Sequence, residues 1–294
     1  MDKEKVKHVI WLFVSISICI TISLGLTYIA VIAGMAGYFT IIPVLSTENI
    51  LLRFLGIIIS TLISLGIILL LYMFLLVKGP FAFKFAISLG ITPIVTVSVI
   101  FFGETFLLIL FPATINPILY ILVAFASLYI AGFSSVFIIT DMLSEEGKKK
   151  LMLLYGSIMG AFIGVTMHTL SIFSLVIMIS LLDTLLASLG FSERFLRVLE
   201  TYPRRGTADF SYSIGSVDIG FGDFIFYSLI PSHAYWKFGL STMLFSVLLL
   251  FIGVALTYRL IFMGKILPGI PIPISLSLIP IIVAVILSGG FFYV

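Results

Sequence analysis

The sequence predicts an all-α membrane protein with nine transmembrane helices, its N-terminus cytoplasmic and its C-terminus outside. Three observations carry this expectation. Of 294 residues, 61% are hydrophobic and 10% charged, against about 25% charged in a soluble domain. With a mean hydropathy of +1.31, the chain has more apolar surface than a water-soluble core can bury. Its apolar residues fall in runs of the roughly 20 residues that cross a hydrocarbon core as a helix. Its lysines and arginines are divided unequally between alternate loops, as the positive-inside rule requires of cytoplasmic and outer sides.

The runs lie at about 9–34, 50–77, 83–111, 116–139, 149–167, 169–190, 216–232, 238–262 and 269–292. The first follows Met1-Asp2-Lys3-Glu4-Lys5 and is longer than the 7–15-residue apolar region of a signal peptide, so it reads as a retained span. The third is overlong and contains Glu104, which suggests a tilt or an interfacial turn. The fifth and sixth meet near Met167-His168-Thr169, where a single long helix is the alternative. The charges decide for two. One side then holds Lys3, Lys5, Lys7, Lys78, Lys84, Lys148, Lys149, Lys150, Arg194, Arg197, Arg204, Arg205, Arg259 and Lys265, and the other only Arg53 and Lys237. Merging the two runs would scatter the later charges.

The chain reads as one integral membrane domain. Residues 1–190 form a six-helix part, 191–215 a cytoplasmic loop, and 216–294 a three-helix part. The loop holds four arginines, Pro203 and Gly206, and then Ala208-Asp209-Phe210-Ser211-Tyr212-Ser213-Ile214. That alternation has the period of a strand. A short extended segment at the membrane surface is one reading, and a solvated basic loop near anionic lipid is the other. The lone Cys19 excludes an internal disulfide and any all-cysteine metal cluster. It reads as a small lipid- or core-facing side chain.

Two carboxylates stand out. Asp183 is alone in the sixth run, and Asp223 sits in Gly220-Phe221-Gly222-Asp223-Phe224-Ile225-Phe226-Tyr227-Ser228-Leu229 near the start of the seventh. An ionisable residue inside a span is costly and is a functional-site hypothesis by default. Each aspartate lies about seven residues from the basic loop, so both sit roughly 10 Å below the cytoplasmic face at 1.5 Å rise per residue. Antiparallel neighbours joined by one loop are expected to touch. Of two carboxylates close together in low dielectric, one takes a proton and the other stays a base. That pair can activate a water and protonate a leaving amide nitrogen. The alternatives are a structural polar contact and a proton or ion relay in a transporter or channel. Gly220 and Gly222 are expected to admit a second backbone, and Tyr227, at i+4 from Asp223, to shape the site.

The third feature is Leu267-Pro268-Gly269-Ile270-Pro271-Ile272-Pro273 at the head of the last run. Prolines lack the amide donor and push the preceding residue out of helical geometry, which predicts an extended segment. Such backbone at membrane depth must be buried in protein or line a wet cavity. Other ionisable groups are weaker candidates. His8, His168 and His233 lie near predicted span ends, Asp218 borders the seventh span, and no HExxH zinc motif occurs. Ser134 or Ser157 with His168 is a minor serine–histidine alternative.

Together these features resemble the presenilin and signal peptide peptidase family of intramembrane aspartyl proteases. Gly220-Phe221-Gly222-Asp223 matches that family's GxGD motif, and Phe224 through Leu229 resembles the presenilin continuation. Pro268-Gly269-Ile270-Pro271 is similar to the PAL motif. Nine spans, with aspartates in the sixth and seventh, is the family plan. The chain departs from it at Leu182, where the family has tyrosine, and at Gly269 and Ile270 in place of Ala and Leu. The short loop resembles microbial or archaeal homologues in a cell membrane. The resemblance implies an aspartic endopeptidase acting on transmembrane helices, with catalytic Asp183 and Asp223 and with Leu267 to Pro271 binding substrate. It implies no metal or organic cofactor and no nucleic-acid partner. An inactive helix-binding homologue is the remaining alternative.

Overall fold

The computed structural model describes residues 3–35, 50–111, 117–140, 142–188, 211–214, 217–262 and 271–288. Five helices, α1 (Lys3–Ile32), α2 (Ile50–Leu110), α3 (Pro117–Ile139), α4 (Glu145–Thr166) and α5 (Thr169–Ser188), precede an antiparallel hairpin of β1 (Ser211–Ile214) and β2 (Val217–Gly220). Two more helices follow, α6 (Phe221–Phe262) and α7 (Pro271–Leu287). Val9–Ile32, Lys84–Leu110, Pro117–Phe137, Thr169–Leu186 and Phe221–Ile261 are long and apolar enough to cross a membrane. Their outer faces carry exposed Phe125, Leu128, Leu181, Leu244 and Phe245. Apolar patches on that scale need lipid rather than water against them. The chain is an α-helical membrane protein.

Where helices begin and end has local causes. Ser144 caps α4 by accepting a hydrogen bond from the Gly147 amide at 3.2 Å, satisfying a donor with no intrahelical partner. Met167 leaves helical geometry at φ −91°, ψ 145°, and α5 starts at Thr169, so the fifth and sixth runs are separate helices as the charges required. Inside α6, Gly239 has φ 84° and ψ −174°, a conformation that favours glycine. Tyr258 acts electrostatically on Tyr227, yet a straight helix would hold them about 46 Å apart. The chain therefore folds back at Gly239, giving two arms where the sequence predicts two spans. The predicted loop at 233–237 is helix instead, and the turn is made at one residue.

Other expectations need correction. α2 runs unbroken through Lys78–Lys84, where the sequence predicts a loop, and through Glu104, where of the two readings, a tilt or a turn, the turn does not form. A proline such as Pro80 kinks a helix more readily than it ends one when good helix formers follow. A straight helix of this length would run about 90 Å, three times the hydrocarbon core. Its second half, Lys84–Leu110, is the part that buries Val95, Phe101 and Phe102 in the bundle. The seventh run starts at Phe221 rather than 216, because 217–220 pair as β2 with β1. The extended reading of 211–214 holds.

The core is organised around α4 and the first arm of α6. Gly156, Gly160 and Gly164 repeat every four residues, on one face of α4. A Cβ on Gly156 would stand 2.7 Å from Phe224 Cβ, one on Gly160 would stand 2.5 Å from both the Ile225 carbonyl oxygen and Ser228 Cβ, and one on Gly164 would stand 2.8 Å from the Leu229 carbonyl oxygen. Small residues at this spacing let two backbones meet within a membrane. The contacts also show that α4 and this arm run in the same direction. α1 runs with them, since Cys19 meets Ser157 and Ser228, and Ala30 clusters with Phe162. The starts of α1, α4 and α6 therefore share one end.

His233, six residues before the fold-back, is fully buried rather than at a span end. Its Nδ1 lies 2.9 Å from the Gly164 carbonyl, and its Nε2 lies 3.0 Å from Thr169 Oγ1. A carbonyl only accepts, so Nδ1–H donates to it, and in the neutral ring the Thr169 hydroxyl donates to Nε2. One side chain thus ties α4, α5 and α6 together. Thr169→Val keeps the shape but strands the ring nitrogen, so stability should fall by about 1–3 kcal/mol. Thermal unfolding in detergent measures it, and an unchanged midpoint would mean the bond contributes nothing.

Candidate functional site

Asp223 is the third residue of α6, and its Oδ2 accepts a hydrogen bond from the Gly220 amide at 2.9 Å. With Gly220 as N-cap and Asp223 at N3, this is one arm of a capping box, in which an acidic N3 side chain reaches back to the N-cap amide. The GxGD spacing thus has a local geometric meaning. The carboxylate also lies at the positive end of the helix dipole. Since the helix starts at Phe221, Asp223 is within its first turn and immediately follows the hairpin.

Asp183 lies near the end of α5, half-buried, with its Oδ2 enclosed. The Thr169–His233 bond sets the register. From that bond Asp183 is about 21 Å along α5 and Asp223 about 15 Å back along α6. Both aspartates therefore lie towards the same end of the bundle, and the Asp183 charge acts on Asp223. The two helices are not close neighbours along their length, as the short loop suggested. α5 packs chiefly on α2, and α6 on α4 and α7. The glycine face of α4 takes the place beside α6 that sequence order would give to α5.

Tyr227 is buried one turn below Asp223, in the core cluster against which Tyr258 packs. Pro231 follows four residues later inside the same arm. It has no amide to donate to the Tyr227 carbonyl, so the helix ladder is broken beside the site. The fold-back returns Tyr258, which no sequence motif marks, to the aspartate end.

Around the glycines of the motif the described residues leave room. A Cβ on Gly220 would meet only the Asp223 carboxylate, at 3.6 Å, and one on Gly222 would meet nothing within 4 Å. Among the described residues, no second backbone presses on them. The close approaches are made instead by the α4 glycines and by Gly253, whose added Cβ would stand 2.5 Å from Pro273 Cα. Gly253 thus seats the first turn of α7 on the second arm of α6.

Leu267, Pro268, Gly269 and Ile270 lie outside the described residues, as do 189–210. Pro271 is the first residue of α7 and Pro273 is in its first turn, so these two prolines are helical rather than extended. The first amides of a helix have no internal partner, and proline loses nothing there. Cys19 is core-facing, with Sγ 3.0 Å from Ser157 Oγ and 2.9 Å from Ser228 Oγ. That contact occupies Ser157, while His168 is exposed and the two do not meet. Among the described residues, no group of three or more His, Cys, Asp or Glu is placed to hold a metal ion. Compared with protein-family models and with curated proteins, the chain matches no family model and no curated protein.

Proposed function

We propose that the chain is an intramembrane aspartyl endopeptidase that hydrolyses peptide bonds within transmembrane helices of other membrane proteins. The observation that carries this reading is that Asp183 and Asp223, from separate helices, lie towards one end of an apolar bundle, in the register set by the Thr169–His233 bond. One carboxyl is protonated and the other is a base. The base takes a proton from a water as its oxygen attacks the substrate carbonyl, and the acid stabilises the developing alkoxide. Proton transfer to the amide nitrogen then breaks the C–N bond. The Gly220 amide engages Oδ2 of Asp223, which leaves Oδ1 for proton exchange.

A substrate helix hides its carbonyls in its own hydrogen bonds, so it must unwind before it is cut. The β1–β2 hairpin runs straight into the helix that carries Asp223, and an unwound segment can add to such an edge as a further strand. Leu267 to Pro271 are assigned to the same task. Purified protein should cleave a single-span test substrate, and a transition-state-mimicking aspartyl protease inhibitor should block the cut. Cleavage indifferent to the inhibitor would refute the reading.

The same proposal includes nine spans in a microbial cell membrane, with the N-terminus cytoplasmic and the C-terminus outside. Support comes from the lysine and arginine bias and from the shared end of α1, α4 and α6. Tags after Lys5 and within 191–215 should be cytoplasmic, and one after Val294 outside. Protease protection or cysteine labelling would read this, and termini on the same side would contradict it.

A further inference from the structure

A groove of about 700 Å³ opens between the N-terminal halves of α1 and α4. Trp11, Val14, Ile18 and Ile22 form one wall, and Leu153 and Leu154 form the other. Glu146, Lys149 and Lys150 complete it at the start of α4. Trp11, Ile18 and Leu154 are substantially exposed, so the groove faces outward from the bundle.

Shape, chemistry and position limit what fills it. From Trp11 to Ile22 the α1 wall is about 16 Å long, an apolar channel along which an acyl chain can lie. Among the described residues, the polar end carries Lys149 and Lys150 against the carboxylate of Glu146. Lysines extend along apolar surface and present their ammonium groups at the interface, and tryptophan concentrates at the same level. A basic pocket between transmembrane helices, continuous with an apolar channel, matches an anionic phospholipid in both of its parts.

We propose that this groove binds one anionic phospholipid, with an acyl chain along Val14, Ile18 and Ile22 and its phosphate at Lys149 and Lys150. The proposal holds whether or not the chain is a protease.

Native mass spectrometry of the whole protein, exchanged into phosphatidylglycerol or phosphatidylcholine, tests it. Wild type should retain one phosphatidylglycerol in preference to phosphatidylcholine. K149Q/K150Q should weaken that retention about thirtyfold, at the usual contribution of a lysine near an anionic surface. Ile18→Trp fills the groove without changing charge and should also displace the lipid. Retention unaffected by both variants, or equal retention of the two lipids, would overturn the proposal. A photo-reactive side chain at position 18 gives a second reading that does not depend on those variants folding. A phospholipid adduct is expected, and an adduct to a second copy of the chain or to another membrane protein would overturn the assignment.

Discussion

Asp183→Asn and Asp223→Asn should each lower the rate of substrate cleavage by about 10²–10⁴-fold, the usual contribution of a general acid or base. An amide can neither take a proton from water nor give one to a leaving nitrogen, and the remaining carboxylate cannot fill both roles. The structure also predicts a difference in stability. Asn at 223 keeps an oxygen that can accept from the Gly220 amide, so the start of α6 stays capped. Asp223→Ala removes that acceptor and should cost about 0.5–2 kcal/mol besides. Single-turnover cleavage in liposomes, measured alongside thermal unfolding, separates the two effects. If Asp223→Asn cut at the wild-type rate, the carboxylate would be a helix cap and nothing more.

Gly160→Leu should prevent the bundle from assembling, and Gly160→Ala should destabilise it by about 1–3 kcal/mol, as overpacking does. Even one added methyl would stand 2.5 Å from a backbone carbonyl oxygen of α6, an atom that cannot swing away. The helices must separate, and the aspartate-bearing arm of α6 moves with them. Gly132→Ala is the control. Its Cβ would meet nothing within 4 Å, and replacing a mid-helix glycine by alanine gains roughly 0.5–1 kcal/mol. Opposite signs for the two alanine variants in detergent unfolding are the expected result. A neutral Gly160→Ala would mean that the α4–α6 contact is looser than the structure has it.

Membrane-helix character was legible because hydropathy depends on composition within a window, which needs no tertiary information. The separation of α4 from α5 was legible from charge, since only one reading kept the later basic loops on a common side. The aspartates were legible because a carboxylate in an apolar run contradicts its surroundings. What escaped was packing. Gly156, Gly160 and Gly164 carry the spacing of a helix interface in the sequence itself, but nothing there says which helix they meet. His233 borders a polar stretch that marks a span end in the sequence, whereas the chain reverses at Gly239. Tyr258 reaches the site only through that reversal. Pro271 and Pro273 were read as helix breakers, since proline's acceptability in a first turn depends on where the helix starts.

The central claim is that a peptide bond is broken inside the membrane-spanning part of a substrate. Its most direct measurement is the mass of the products when purified protein and a single-span substrate share a liposome. The account predicts two fragments whose new ends fall within the apolar segment, absent when Asp183 and Asp223 are both Asn. Intact substrate, or fragments ending only in the water-exposed flanks, would contradict it.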